Sequence, residues 1–141
     1  MNLKNKTILI TGATGGIGHS LVKKFDSLGS TILATGTNTE KLDNLKKKYS
    51  NIKIKQFKLD QHENIEKFIE SCNIELGKID VLINNAGITS DNISLRLTEE
   101  NWKKVIDINL TSTFLMCKFV LKKMLKQKSG KIINITSIVG H

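Results

Sequence analysis

Hydrophobic residues along the chain alternate between short continuous runs and longer segments in which they recur every three or four positions. The short runs are typical of buried strands, and the longer segments have the period of amphipathic helices. The predicted strands are Thr7–Thr11, Thr31–Thr35, Ile52–Leu59, Ile79–Asn84 and Lys131–Thr136. The predicted helices are Gly16–Leu28, Thr39–Tyr49, His62–Leu76 and Thr98–Gln127. Capping preferences place helix starts at Asn38 or Thr39 and at Thr98, and helix stops at Gly29 and Gly77.

The alternation of strands with helices predicts an α/β fold, a doubly wound parallel sheet of Rossmann type with helices on both faces. Right-handed crossovers and a reversal between the first and fourth strands predict the strand order 3-2-1-4-5. The third strand mixes apolar residues with lysines, which favours an edge position. No repeat or linker interrupts the pattern, so residues 1–141 are predicted to form one domain. Ligand is expected beyond the carboxyl ends of the strands.

A glycine-rich turn joins the first predicted strand to the first predicted helix. Its sequence is Thr11-Gly12-Ala13-Thr14-Gly15-Gly16-Ile17-Gly18. Backbone N–H groups at such a helix start, aided by the helix dipole, bind a diphosphate. The spacing is G-x-x-x-G-x-G rather than the usual G-x-G-x-x-G. The turn therefore predicts a dinucleotide site, and a plain strand-to-helix connection is the alternative.

The last predicted helix is apolar over an unusually broad part of its circumference. One face carries Trp102, Val105, Ile106, Asn109, Leu110, Thr113, Phe114, Cys117, Val120, Leu121 and Met124. A second group, Ile108, Leu115, Met116 and Phe119, widens it. A helix with so wide an apolar face packs against more than one partner. We expect the sheet to be one, and a second subunit or further chain to be the other.

Composition narrows the function classes. The net charge is +9, but Arg96 is the one arginine and the lysines are spread over several segments, which favours a solvated surface over a nucleic-acid site. No apolar run approaches the ~20 residues of a membrane helix, and the first residues lack a signal-peptide pattern. Cys72, Cys117 and the three histidines have no metal-ligand spacing. A cytoplasmic protein with two buried or half-buried thiols and no bound metal is expected.

Four motifs in chain order give the sequence a strong resemblance to the N-terminal part of the short-chain dehydrogenase/reductase family. The glycine turn corresponds to that family's cofactor turn, and Asn84-Asn85-Ala86-Gly87 to its second hallmark. Asn109 matches the family's helix asparagine, and Ser137 matches its catalytic serine. Within the family, residues 84–96 most resemble the 3-oxoacyl-acyl-carrier-protein reductases of fatty-acid synthesis.

The resemblance implies a role for each matched residue. The cofactor diphosphate would be cradled by Gly12, Ala13, Thr14, Gly15, Gly16, Ile17 and Gly18. Asp60 would meet the adenine amino group, with Gln61 beside it. The floor of the site would consist of Asn85, Ala86 and Gly87. Ser137 would position the substrate oxygen, and Asn109 would support a proton-relay water.

The end of the second strand bears on the choice of coenzyme. An acidic residue there would bind the ribose 2′-hydroxyl of NAD, but Ala34-Thr35-Gly36-Thr37-Asn38 has no carboxylate. Its hydroxyls, Thr37 included, together with Lys41 could accommodate a 2′-phosphate. Gly15, however, stands where NADP-preferring relatives often carry a basic residue. The sequence therefore favours NADP(H) over NAD(H).

The family's catalytic tyrosine and lysine have no counterparts at matching positions in this sequence. In the family, the Tyr-x-x-x-Lys motif lies about a dozen residues after the serine, whereas His141 is four residues after Ser137. Tyr49, the one tyrosine, is at the end of the second predicted helix. We therefore expect the N-terminal part of an NADP-dependent carbonyl reductase, from a truncated or split gene or as a fragment. A non-catalytic nucleotide-binding remnant is the alternative.

Partners are also implied by the resemblance. Lys126 and Lys128, near the end of the long helix, would meet an acidic acyl carrier protein. A solvated, lysine-rich helix end is the alternative, and it would suit the helix dipole equally well. A complete protein of this family is expected to be a homo-oligomer, with no nucleic-acid or membrane partner.

Overall fold

The computed structural model describes residues 3–137 and contains a five-stranded parallel sheet. The strands are β1 (Thr7–Ile10), β2 (Thr31–Gly36), β3 (Ile52–Gln56), β4 (Val81–Asn84) and β5 (Lys131–Asn134). Their order, β3-β2-β1-β4-β5, confirms the predicted topology. The helices are α1 (Gly16–Ser27), α2 (Thr39–Lys48), α3 (Ile65–Leu76), α4 (Glu99–Ile106) and α5 (Ser112–Gln127). Short 3-10 turns occupy His62–Asn64 and Ser94–Arg96.

Two hydrophobic clusters lie on opposite faces of the sheet. Ile8 and Ile10 of β1 face one cluster with Val22 of α1, and Leu9 faces the other with Met116 of α5. Successive residues of a strand point to opposite faces, so a strand buried on both sides must be apolar at every position. This requirement explains the uninterrupted apolar runs of β1, β2 and β4.

Helix ends follow the predicted capping. The Asn38 side chain accepts a hydrogen bond from the Lys41 N–H at 2.9 Å, and Thr98 accepts one from Asn101 at 3.2 Å. Gly29 and Gly77 have φ values of +73° and +78°, a backbone conformation that favours glycine after a helix. The predicted starts at Asn38 and Thr98 and the predicted stops are confirmed.

The third strand is shorter than predicted. β3 ends at Gln56 rather than Leu59 because the Phe57 N–H makes the last bond, 3.0 Å to the Gly36 carbonyl, where β2 also ends. Phe57 instead stacks on Phe68 of α3, with 4.0 Å between ring centroids. The edge position predicted for this strand is confirmed.

The long predicted helix is divided by a π-helical turn at Asp107–Thr111. Two hydroxyls bond back to carbonyls within it, Ser112 to Ile108 and Thr113 to Asn109. Such bonds distort the regular helical pattern. None of the helices within residues 3–137 is long and apolar enough to cross a membrane.

The apolar face of α5 divides into a buried and an exposed part. Met116, Val120 and Met124 pack on the sheet. Phe114, Leu121 and Leu125 of α5 remain 62%, 46% and 75% exposed, and Leu110 in the preceding π turn is 62% exposed. The sheet is therefore one partner of this helix, as predicted, and the second partner stays a prediction.

Candidate functional site

The carboxyl ends of β1, β2, β3 and β4 border a cleft of about 660 Å³. A parallel sheet offers such a crevice where neighbouring strands lead to helices on opposite faces. The predicted site residues that line it are Gly12, Thr14, Gly15, Gly16, Ile17, Gly18, Thr37, Asp60, Asn85, Ala86 and Gly87. Segments far apart in sequence are thus brought to one place.

The glycines of the turn are required for two different reasons. A Cβ on Gly18 would lie 2.2 Å from the Gly12 carbonyl oxygen, and one on Gly12 would lie 2.8 Å from the Cα of Ala86. Gly12 also has a φ of +61°, which disfavours other residues. A Cβ on Gly16 would meet no described atom within 4 Å. Gly12 and Gly18 therefore permit packing, whereas Gly16 keeps open space within the cleft.

The start of α1 supplies hydrogen-bond donors to that space. Gly15 precedes the helix, and its N–H already bonds to the Gly12 carbonyl at 3.1 Å. The N–H groups of the first helical residues, beginning at Gly16, have no carbonyl one turn earlier within the helix. Together with the helix dipole, these donors and the open space beside Gly16 fit a diphosphate.

Thr11 and Asn85 tie the glycine turn to the end of β4. The Thr11 hydroxyl oxygen accepts hydrogen bonds from the N–H groups of Asn85 and Ala86, both at 3.0 Å. The Asn85 amide donates to the carbonyls of Thr11 and Gly12 at 3.1 and 3.0 Å. Both walls of the cleft are therefore fixed to each other. Thr11 was not predicted as a site residue, although a buried hydroxyl directly after an apolar strand could have indicated it.

Asn84 performs the corresponding connection toward β5. Its amide donates to Asn134 at 2.9 Å and lies 3.3 Å from the Cys117 sulfur. Asn84 and Asn134 are also ladder partners in the sheet. The two consecutive asparagines at the end of β4, Asn84 and Asn85, thus link it to both of its neighbouring strands.

Asn109 lies in the π turn and holds the loop that follows β4. Its side-chain oxygen accepts from the Ile88 N–H at 2.9 Å, and its NH₂ donates to the Ile88 carbonyl at 2.8 Å. A Cβ on Gly87 would lie 3.5 Å from the same oxygen. The Asn109 side chain therefore fixes the backbone of Ile88, which lines the cleft. Its role in a proton relay stays a prediction.

Three other predicted residues lie around the cleft rather than on its surface. Ala13 is fully buried, and its N–H donates to the Thr35 carbonyl at 3.0 Å. Gln61 is exposed and precedes the 3-10 turn at His62–Asn64. Ser137 is exposed and lies three residues after Asn134, as Gly87 lies three residues after its partner Asn84. Ser137 therefore follows its strand at the same edge of the sheet as the cleft, while Ile138–His141 lie outside the described residues.

The wall at the end of β2 is formed by small and hydroxylated residues. Thr14 faces Gly36, where a Cβ would lie 3.3 Å from its hydroxyl oxygen, and Thr37 follows. Asn38 and Lys41, by contrast, lie at the exposed start of α2, with the Asn38 side chain engaged as its cap. Lys58 and Lys104, which were not predicted, line the cleft.

The two cysteines and two of the histidines lie outside the cleft lining, and their surroundings are structural. Burial raises the pKa of the Cys72 thiol to about 12, and burial also raises the pKa of Cys117. Both thiols are free, and their raised pKa values keep them protonated at neutral pH. His19 bonds to the Tyr49 hydroxyl at 2.9 Å, and His62 to the Asp107 carbonyl at 3.0 Å. Within residues 3–137 there is no group of three or more potential metal ligands.

The cleft and the fold agree with comparison against known proteins. The short chain dehydrogenase family model matches residues 6–141, so the chain belongs to that family. Among similar proteins is the 3-oxoacyl-[acyl-carrier-protein] reductase of Rickettsia conorii, 42% identical over 141 residues. The proteins of the same name from Aquifex aeolicus and Thermotoga maritima are 39% and 38% identical over 145 and 144 residues.

The alignments cover nearly all of this chain but only part of each relative. Each takes in 99% of this chain but only 57% or 58% of the relative. The chain therefore spans rather more than half the length of the curated relatives that it matches. It corresponds to their N-terminal part.

Proposed function

We propose that this chain forms the coenzyme-binding part of an NADP-dependent reductase whose substrate is a 3-oxoacyl group carried by acyl carrier protein. The product would be the 3-hydroxyacyl group of fatty-acid synthesis. The observation that carries the proposal is the cleft at the strand ends, where open space beside Gly16 meets the unpaired amides of α1. The names of the similar reductases supply the substrate class.

The coenzyme half of the proposal depends on the chemistry of the cleft walls. Asp60 lines the cleft after β3, where a carboxylate can accept from an adenine amino group. Asn85, Ala86 and Gly87 form the facing floor. A carboxylate at the end of β2 would favour NAD, and Thr37 stands there instead. These features support NADP(H) as the preferred coenzyme.

The reaction would be hydride transfer to a carbonyl. A bound nicotinamide coenzyme would supply the hydride. The bidentate contact from Asn109 to Ile88 would keep the loop after β4 in place beside Gly87. Ser137 would bond to the substrate carbonyl oxygen and orient it, which is an entropic contribution to catalysis.

A proton must also reach the substrate oxygen. Tyr49 is an unsuitable donor because its hydroxyl bonds to His19 on the α1–α2 side of the molecule. The resemblance assigns the proton to a Tyr-x-x-x-Lys motif further along than Ser137. A positioned proton donor contributes about 10²–10⁴-fold to such a reaction.

A carrier-protein partner would meet the basic end of α5. Lys122 and Lys123 are already paired, with Glu66 and Glu70 of α3. Lys126 and Lys128 are exposed, and within residues 3–137 neither takes part in an ion pair. They are therefore the better candidates for an acidic carrier. Homo-oligomeric assembly through the exposed face of α5 and a cytoplasmic location also stay predictions.

Coenzyme titration of the 141-residue protein tests the proposal. We expect NADPH binding by calorimetry and by a change in nicotinamide fluorescence. Gly16→Ala should retain the wild-type melting temperature, since its Cβ meets open space, but bind NADPH about tenfold or more weakly, equivalent to about 1.4 kcal/mol. Lys24→Ala, further along the same helix, serves as the matched control and should bind normally.

Two results would contradict the proposed binding role. One is a folded wild-type protein that binds neither NADPH nor NADH, and the other is normal binding by Gly16→Ala. An assay of NADPH oxidation in the presence of a 3-oxoacyl thioester then distinguishes a catalytic reductase from a non-catalytic nucleotide-binding protein. Turnover supports the complete reaction, whereas tight binding without turnover supports a non-catalytic nucleotide-binding protein.

A further inference from the structure

We infer that Lys58, directly beyond the end of β3, is the cation that selects a coenzyme bearing a phosphate on its adenosine ribose. The inference rests on the proposed function and goes further, since it assigns specificity to a residue outside the glycine turn and the β2–α2 connection. It also differs from the sequence-based expectation, which gave that part to the hydroxyls after the second strand together with Lys41.

Hydrogen bonds join the end of β3 to the end of β2, beside the cleft wall that contains Gly36 and Thr37. The Phe57 N–H donates to the Gly36 carbonyl at 3.0 Å, and the Gln56 side-chain amide donates to the Thr37 carbonyl at 2.8 Å. Neighbouring strands lie about 4.8 Å apart. Lys58 is the next residue after Phe57, and it lines the same cleft as Thr37. Its flexible four-carbon stem is long enough to span that distance.

The charges of the cleft lining leave few alternatives. Lys58, Asp60 and Lys104 are its charged residues. Lys41 instead begins α2, where its N–H is bonded to the cap residue Asn38 and its side chain is exposed. Among the described residues, Lys58 makes no ion pair, Asp60 included. Its ammonium group is therefore available to an incoming anion.

Lys104 approaches the cleft from a different wall. It belongs to α4, one turn before Ile108 of the π turn, and the adjacent Asp107 carbonyl contacts His62. Thr37 belongs to the wall formed by β2 and β3. Lys104 is consequently a matched lysine in the same cleft that belongs to α4 rather than to the ends of β2 and β3.

The physical basis is the charge of the added group. A phosphate monoester carries between one and two negative charges at neutral pH, and charge-assisted hydrogen bonds to an ammonium are stronger than those between neutral groups. The hydroxyls of Thr14 and Thr37 can donate to the same oxygens. Lys58 thus supplies the positive charge that the glycine turn lacks at Gly15.

Parallel titrations with NADPH and NADH test the inference. Lys58→Met should weaken NADPH binding about tenfold or more and leave NADH binding within about twofold of wild type. Lys58→Arg should restore the preference. Lys104→Met and Lys41→Met should leave the ratio of the two affinities unchanged. Adenosine 2′,5′-bisphosphate and 5′-AMP, which differ only by the 2′-phosphate, repeat the measurement without the nicotinamide.

The possible failures are distinguishable. If the wild-type protein binds neither coenzyme, the proposed function itself fails. The inference about Lys58 alone fails if the wild type binds both equally. It also fails if Lys58→Met weakens both equally or neither, or if Lys41→Met or Lys104→Met abolishes the preference.

Discussion

The two sides of this molecule use similar apolar sequences with opposite results. On the glycine-turn side, comprising β1, α1 and β2, the strand residues Ile8 to Ile10 and Ile32 to Ala34 are completely buried. On the α5 side, comprising α4, α5 and β5, Ile133 and Ile135 remain 43% and 39% exposed, and Phe114 of α5 is 62% exposed. The strands of the first side hide their apolar side chains within the described fold, whereas β5 and one face of α5 expose theirs.

The difference separates the requirements of the cleft from those of assembly. The cleft is bordered by β1, β2, β3 and β4 and held by contacts such as that between Thr11 and Asn85, all of which lie within the described residues. The exposed α5 side is a surface that another protein surface could cover. We therefore expect coenzyme binding to depend mainly on the first side and self-association on the second.

A pair of leucine substitutions provides the largest test of this contrast. Leu33 of β2 is fully buried and Leu125 of α5 is 75% exposed. Leu33→Ala should lower the free energy of unfolding by about 2–5 kcal/mol, the usual cost of truncating a buried leucine. Leu125→Ala should change it by less than about 0.5 kcal/mol. Urea denaturation measures both, and similar costs for the two variants would contradict the comparison.

The amino ends of β1 and β4 provide the next test. Asp80 accepts from the Thr7 N–H at 3.0 Å and from its hydroxyl at 3.1 Å, and pairs with Lys78 at 3.0 Å. Burial opposes ionisation of Asp80, but these bonds outweigh it and lower its pKa. Asp80→Asn should therefore cost about 1–3 kcal/mol at pH 7, because a charged acceptor is lost.

The pH dependence gives this prediction its sign. Because the pKa of Asp80 is lowered in the folded protein, the stabilisation is present above its ordinary pKa of about 3.9 and is lost as the pH falls through the folded value. The difference in unfolding free energy between wild type and Asp80→Asn should shrink in acid. A gap that stays constant from pH 7 down into this range would show that the charge of Asp80 is not responsible.

The smallest expected effect lies at the start of α4. This helix has no buried residue among those the structure describes, and Thr98 caps it. Thr98→Ala should destabilise the helix by about 1 kcal/mol. Amide hydrogen exchange should become faster in α4 while Leu33 and its neighbours in β2 keep their protection. Faster exchange throughout the sheet would mean that the two sides unfold together.

The topology was predictable because it depends on features that are local in sequence. A strand such as Thr7–Ile10 must be apolar at every position when both of its faces are covered, and helices such as α2 carry their capping residues with them. The motifs also fall at strand ends, where a parallel sheet gathers them. These rules suffice for the strand order and for the location of the cleft.

The details that were missed depend on contacts between distant residues. Lys41 and Lys58 carry the same side chain, and the position of Lys58 in the cleft beside Thr37 arises only when β3 is fastened beside β2. The role of Thr11 in joining the walls of the cleft likewise depends on Asn85, which is far away in the sequence. Hydrophobic periodicity carries no information about such pairings, because it records which face a residue occupies rather than which side chain it meets.

The π turn at Asp107–Thr111 has a consequence for anyone who draws this region as a helical wheel. An α-helix rotates by about 100° per residue, and a wider turn puts the following residues out of phase with the preceding ones. Trp102 and Leu121 therefore belong to two separate wheels, and any single stripe counted across the junction gives them a false angular relation to each other. Aligning related sequences by such a stripe would misplace every position on one side of Asn109.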